Sequence, residues 1–503
     1  MTDPVEADGA THAPLLSVDR VAKSYGATAA LKNATFTAIE GEVHAVMGEN
    51  GAGKSTMLGI LAGLVRSDHG TVTLGGVHYA PRSAADARKF GVAIVPQEPT
   101  LCDHLNVAEN VTLGIEPVSS GFVRAEEAQR RCKAALAPLG VDIDPTRRAS
   151  DLTPAERQLV CIGRALAQSK VRVLILDEPT SSLTMAEAER VLDAVRALAD
   201  SGLCVLYVSH TLGEVVRVAD AYTVLRNGET VRSGSMKGVE VADLTEMLLG
   251  HPAEARVRAP REKGERVLSV RELTGVKLPA GASFELHRGE IFGVFGLVGS
   301  GRTELVRAIY GLDRVVRGEV HIGSSASTRS TPAHRLHEGI GMVSEDRKGE
   351  GLALTMSVAD NLTLSKLESI SSGGIVSPNA QGTAARDLIT RLQIRCAGPD
   401  APVGSLSGGN QQKVAIGRLL HQNANVLLLD EPTRGIDIGS REQLYDLSID
   451  LAAKQKAIVW ISTQPAELLA VCDRIAVMRR GVLGAPRDVT DWSEQLLLQE
   501  AAA

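Results

Sequence analysis

Hydrophobic residues recur along the chain in short blocks of strand length. Residues 43–47 and 291–295 are near-continuous apolar runs, the pattern of a strand buried on both faces, and each leads into a glycine-rich turn. After the first turn, Leu58, Leu61 and Leu64 fall near helical spacing, which predicts one helix carrying all three. Short β-like runs open each half of the chain, at 15–21 and 35–39 and again at 267–273 and 283–286. A long helical stretch fills the middle of each half, and apolar runs such as 204–208 return towards its end. Strands alternating with helices imply a mainly parallel α/β sheet with a helical insertion.

The pattern occurs twice. Val173-Leu174-Ile175-Leu176-Asp177-Glu178-Pro179-Thr180 recurs as Val426-Leu427-Leu428-Leu429-Asp430-Glu431-Pro432-Thr433, an offset of 253 (430 − 177). The stretch 48–55 recurs, altered, as 296–303, and 107–113 recurs as 358–364, in the same order at nearly the same offset. Such internal repetition predicts two domains of one fold, at 15–250 and 267–497. A charged, apolar-poor linker is expected at 251–266 and a disordered polar tail at 1–14.

Composition narrows the class. With 503 residues and 44% apolar residues the chain can bury ample core, and no apolar run approaches the roughly 20 residues that span a bilayer. A net charge of −6 without a dense Lys/Arg tract speaks against a nucleic-acid partner. The six cysteines lie far apart, without C-x-x-C spacing, against a zinc site or a disulfide framework. A soluble cytoplasmic protein is the expectation.

Gly48, Glu49, Asn50, Gly51, Ala52, Gly53, Lys54 and Ser55, followed by Thr56, form a phosphate-loop pattern between a strand and a helix. Glycines there let backbone N–H groups turn towards a phosphate, and the helix N-terminus adds partial positive charge. Lys54 supplies a point charge for the β- and γ-phosphates, and the Ser55 hydroxyl can ligate Mg²⁺. Asp177 ends an apolar strand, where a carboxylate can hold Mg²⁺; Glu178 follows it and can act as general base on the attacking water. Three weaker signals remain open. Gln97 can contact Mg²⁺ or the water, or be a surface glutamine; His210 can touch the γ-phosphate or be an ordinary satisfied histidine; Tyr25 can stack on adenine or sit in the core.

The segment Leu406-Ser407-Gly408-Gly409-Asn410-Gln411-Gln412 closely resembles the signature of ABC-type ATPases. The resemblance covers nearly the whole chain and implies two tandem P-loop NTPase (ABC-type) nucleotide-binding domains, each with an antiparallel β subdomain and a helical subdomain. In that superfamily two such domains pack head to tail, so each ATP lies between one domain's phosphate loop and the other's signature. Gly296 to Glu304 has Arg302 where the first loop has Lys54, and Ser344-Glu345-Asp346-Arg347-Lys348 stands at the position of Gln97. Both look like the second half of the tandem ATP-binding subunits of bacterial monosaccharide importers of the ribose, galactose and xylose type.

By that resemblance, site one joins Lys54, Ser55, Gln97, Asp177, Glu178 and His210 to Ser407, Gly408 and Gly409. Site two joins Gly296, Gly301, Arg302, Thr303, Glu345, Asp430 and Glu431 to the degraded signature Thr153-Pro154-Ala155, with Thr463 in place of the switch histidine. Pro154 has no N–H to offer a phosphate. The implied cofactors are ATP and Mg²⁺. The implied partners are integral-membrane permease subunits and, indirectly, an extracellular or periplasmic solute-binding protein, which would hold the chain on the cytoplasmic side of the membrane without a span of its own. ATP would close the two domains, and hydrolysis at site one would reopen them. A nucleoside-importer ATPase and a soluble tandem translation regulator are the alternatives.

Overall fold

Val43, His44, Ala45, Val46 and Met47 are all buried, as are Ile291 to Phe295, and each run is an interior strand of a parallel sheet. The computed structural model describes residues 13–249 and 263–502, apart from 27, 98, 99, 169, 182, 210, 324, 328 and 329. The chain divides after Ala253 into two compact units. The expected tail up to residue 12, the linker from 251 to 262 and His210 lie outside the described residues.

In the first unit the parallel strands Ala221–Arg226, Val43–Gly48, Cys204–Val208, Val173–Asp177 and Val92–Val95 lie side by side in that order. The antiparallel strands Leu16–Tyr25, Thr28–Ala38 and His69–Leu74 continue the same sheet through a single pairing, Glu229 with Asn33. In the second unit the corresponding parallel strands are Arg474–Arg479, Ile291–Phe295, Ala457–Ser462, Val426–Asp430 and Ile340–Val343. Here the antiparallel strands form a sheet of their own around Arg266–Gly275. That strand begins at Arg266, one residue inside the expected linker, and the last helix, Glu494–Ala502, runs past the expected boundary at 497.

The helical insertion of each unit starts from the same device. Asn106 caps the helix Val107–Val111 and exchanges hydrogen bonds with Glu109, and Ser357 does the same with Asp360 ahead of Val358–Thr363. One turn on, buried Asn110 accepts from the Cys102 N–H (2.8 Å) and Asn361 accepts from the Ala353 N–H (2.9 Å). The repeated motif at 107–113 and 358–364 is therefore a loop staple.

Leu64 corrects the expected helix. The helix Lys54–Leu61 stops early because Gly63 turns left-handed (φ 72°) and the Leu64 N–H closes back on the Gly59 carbonyl (2.8 Å), leaving the Leu64 side chain exposed. Among the described residues no helix is long and apolar enough to cross a membrane.

Candidate nucleotide sites

The loop from Gly48 to Ser55 connects the strand Val43–Gly48 to the helix Lys54–Leu61, whose N-cap is Gly53 at φ 102°. A Cβ on Gly53 would stand 2.5 Å from Leu31 and 2.6 Å from the Ala30 carbonyl, so the loop is pressed against the neighbouring strand with no room for a side chain. Lys54 Nζ reaches back over the loop to the carbonyls of Gly48 (2.6 Å) and Glu49 (3.1 Å). Ser55, Asn50 and Gly51 are exposed, and Thr56 is half-buried. Tyr25 ends the first strand half-exposed, its ring 5.7 Å from Lys23 Nζ, and so is no core residue.

Asp177 and Glu178 sit at the end of the strand Val173–Asp177. Gln97 Nε2 donates to Glu178 Oε2 at 2.8 Å, so two residues 81 apart in sequence meet. Burial, with repulsion from Glu178, raises the pKa of Asp177 despite the attraction of Lys54. Glu178 adopts φ 46°, a left-handed conformation that costs a non-glycine residue about 1–3 kcal/mol, and its N–H is held by the Val208 carbonyl (2.8 Å). Glu431 repeats this with φ 45° and a bond to the Ile461 carbonyl (3.1 Å). A strained acid kept at the same place in both units is a built feature of the fold.

The second unit assembles the same positions differently. Gly301, at φ 104°, caps the helix Arg302–Tyr310, and a Cβ on Gly296 would fall 2.5 Å from the Met478 carbonyl. Arg302 is buried and does not simply lie over its loop. Its Nη1 bonds Glu431 Oε1 at 2.7 Å, with Nε on Ser300 Oγ (3.2 Å), while Thr463 donates to the other Glu431 oxygen (3.4 Å). The acid that corresponds to Glu178 is thus held by the cation that corresponds to Lys54. Asp430 is fully buried, neither carboxylate oxygen makes a hydrogen bond of good geometry, and burial, opposed by the Thr303 hydroxyl beside it, pushes its pKa up to about 7. Glu345 accepts from Thr303 Oγ1 (3.3 Å) and pairs with Arg434, on the wall of a polar cavity of about 670 Å³.

The two signature positions also diverge. Ser407 is the N-cap of the helix Gly408–Gln422 without capping it, because its hydroxyl accepts from Asn410 Nδ2 (2.9 Å). A Cβ on Gly409 would meet Ser440 Oγ at 2.2 Å and one on Gly408 the Gly435 carbonyl at 2.7 Å, so packing alone demands both glycines. In the first unit Thr153 caps the helix Pro154–Ala167 in a closed box. Glu156 Oε2 accepts from the Thr153 N–H (2.8 Å), Thr153 Oγ1 from the Glu156 N–H (3.3 Å), and Arg147 grips both Glu156 oxygens at 2.8 Å. A carboxylate therefore already stands at this helix end, where an incoming phosphate would be repelled.

One network was missed from the sequence. Glu214, on the helix Leu212–Val218, accepts from Thr180, Tyr207 and Ser209, and Glu467 accepts from Thr433 and Ser462 in the second unit. The 253-residue offset that relates Asp177 to Asp430 also relates these residues (467 − 214 = 253), and following it further would have found them.

The ABC transporter family model matches residues 31–181 and 280–434. The chain is 39% identical over 505 residues to the ribose import ATP-binding protein RbsA 1 of Streptomyces coelicolor, covering 100% of this chain and 99% of the relative. It is 36% identical to the ribose import ATP-binding protein RbsA of Geobacillus kaustophilus, covering 97% and 99%. Among solved structures it resembles the archaeal ribosome recycling factor aABCE1 in complex with stalk protein aP1, with a TM-score of 0.60 and 19% identity over 96% of this chain and 92% of that one, a likeness of fold alone.

Proposed function

The chain belongs to the ABC transporter family, and from that premise we propose that it is the ATP-hydrolysing subunit that energises import of a monosaccharide through a membrane ABC transporter. ABC ATP-binding proteins are ATPases, and relatives named for ribose import and matched over nearly their full length support the sugar. The fold shared with a ribosome recycling factor at 19% identity lends no support to a role in translation. Permease subunits, reached from the cytoplasmic side, are the inferred anchor, since among the described residues no helix can span a bilayer. An extracellular solute-binding protein would select the sugar.

One observation carries the catalytic reading: Gln97 holds Glu178 at 2.8 Å, whereas Arg302 holds Glu431 at 2.7 Å. In the first unit we assign Lys54 and the loop amides to the phosphates and Ser55 and Asp177 to Mg²⁺. Asp177 fits a cation, because burial beside Glu178 makes its charge costly alone. Bound Mg²⁺ would offset charge on the phosphate oxygens. Glu178 takes the proton of the attacking water at its carboxylate, and Gln97 fixes the direction of that carboxylate. His210, by the family resemblance, would face the γ-phosphate, and Tyr25 is exposed enough to stack on the base.

In the second unit Arg302, Thr303, Glu345, Asp430 and Glu431 keep the form of a site whose base is already neutralised. Ser407, Gly408 and Gly409 offer a phosphate the helix end that Glu156 denies it at Thr153. One competent copy of each catalytic part is present. Glu178→Gln should cut ATP turnover by about 10² or more, and Glu431→Gln far less. The measurement is steady-state hydrolysis by the full chain assembled with its permease, alongside sugar uptake. Equal losses would refute the asymmetry.

A further inference from the structure

Resting on the reading of the first unit as the hydrolytic one, we propose that Glu214 is a positioning residue that fixes the loop of the general base against the loop carrying residue 210. A single oxygen, Glu214 Oε2, accepts from Thr180 Oγ1 (2.6 Å), Tyr207 Oη (2.9 Å) and Ser209 Oγ (3.4 Å). Thr180 lies two residues after Glu178 and Ser209 immediately before position 210, so the carboxylate ties the two chain segments on which the reaction depends. Thr180, Tyr207 and Ser209 are all buried, where a hydroxyl without an acceptor is costly. Ser209 is used again, its Oγ accepting from the Thr211 N–H at 3.0 Å.

The tie matters because the segment it holds is under strain. Glu178 has φ 46°, with its N–H on the Val208 carbonyl (2.8 Å) and its own carbonyl accepting from the Ser181 N–H (3.3 Å), and releasing Thr180, one residue before Ser181, would let this strained turn relax towards ordinary dihedrals. Relaxation swings the carboxylate away from Gln97 while leaving Lys54 and the phosphate loop in place. The expected signature is a loss in kcat with little change in the KM for ATP.

The second repeat supplies an internal control. Glu467 accepts from Thr433 Oγ1 (2.5 Å) and Ser462 Oγ (2.8 Å) at the equivalent positions, and at 1% exposure it is more deeply buried than Glu214. The tyrosine donor is gone, because Trp460 replaces Tyr207 and its indole nitrogen has no hydrogen-bond partner, and Arg441 Nε stands 3.7 Å from the Glu467 carboxylate instead. If these networks served only to hold the fold together, losing Glu467 would do at least as much harm as losing Glu214.

The test is steady-state ATP hydrolysis and thermal unfolding of the full chain with Glu214→Ala, Glu467→Ala, Thr180→Val and Thr180→Ser. A misplacement of about 1 Å at a reacting group can cost 10²-fold, so Glu214→Ala and Thr180→Val should lower kcat about 10- to 100-fold with KM within about twofold. Thr180→Ser, which keeps the hydroxyl, should restore most of the rate. Glu467→Ala should leave kcat unchanged even where it lowers the melting temperature more. Equal kcat losses for Glu214→Ala and Glu467→Ala that track their melting temperatures would overturn the proposal. Should Glu214→Ala fail to fold, a wild-type rate in Thr180→Val overturns it as well. A normal Glu214→Ala beside an inactive Glu178→Gln removes only this inference, whereas an active Glu178→Gln removes the catalytic reading beneath it.

Discussion

Replacing Arg302 with methionine isolates the most unusual contact of the second unit. Arg302 and Glu431 are 7% and 9% exposed and bonded at 2.7 Å, with the fully buried Asp430 at 0% next in sequence to Glu431. Arg302→Met would leave two buried carboxylates without a cation, and breaking a buried pair from one side costs about 3–5 kcal/mol. For a unit of this size that corresponds to a fall in melting temperature of about 6–20 °C, at roughly 2–4 °C per kcal/mol. Acidification should relieve part of the loss by protonating the acids. Both tryptophans, Trp460 and Trp492, are buried in the second unit, so intrinsic fluorescence follows its unfolding selectively. The measurement is made without nucleotide or Mg²⁺, which would supply a replacement charge. Adding Glu431→Gln to Arg302→Met should recover most of the stability, because the two changes act on one interaction. An Arg302→Met protein within about 1 kcal/mol of wild type, or a double variant as unstable as the two losses added, would refute the buried-pair argument.

Three further outcomes are expected. Asp430 titrates near 7 in place of the ordinary 3.8, so its contribution to stability is fully present below about pH 4 and is lost as pH rises through 7, by at most about 4 kcal/mol; Asp430→Asn should flatten the second unit's pH–stability curve in Mg²⁺-free buffer, and an unchanged curve would contradict the assignment. Ser407→Arg should lower ATP turnover nearly as far as Lys54→Ala, while Thr153→Arg should spare most of it; equal damage from the two arginines would end the one-competent-set reading. Glu156→Ala should cost about 1 kcal/mol of stability on removing the capping box, seen by denaturant titration, with hydrolysis unaffected.

The phosphate loop, the strand-end acids and the repeat were legible because each is a local pattern: a glycine spacing, an apolar run ending in Asp-Glu, an offset held across blocks. What escaped depends on where a side chain turns. The arginine at 302 was visible, but its partner lies 129 residues away and no local rule pairs them. Likewise Gln97 taken by itself read more readily as a surface residue, and only the structure brings it to Glu178. The Thr153 signature was read only as degraded, although Thr-x-x-Glu is itself the signal of a capping box and the structure uses it as one. Leu64 misled because periodicity continued across Gly63 after the backbone had already turned. The Glu229–Asn33 pairing that joins the antiparallel strands to the first parallel sheet rests on one residue pair, where the second unit has the Ala280 N–H to Gly481 carbonyl bond (2.7 Å), and neither leaves a trace in composition.

The closed box at Thr153 implies that the residues which make this helix end a poor ligand surface are the same ones that make it a strong helix start. Proline at the first helical position, threonine at the cap and glutamate three residues after the cap all favour the helix, whereas Gly408 and Gly409 are poor helix formers. The first unit's helix should therefore be fully protected from amide hydrogen exchange at its start whether or not nucleotide is present. At Gly408 and Gly409 exchange should be fast in the apo protein and slow when ATP is added, since only an anion completes that turn. Glycines at 154 and 155 alone would not open that surface, because Glu156 would still close the box with Thr153; a receptive end needs Glu156 removed as well, and each of these changes weakens the helix.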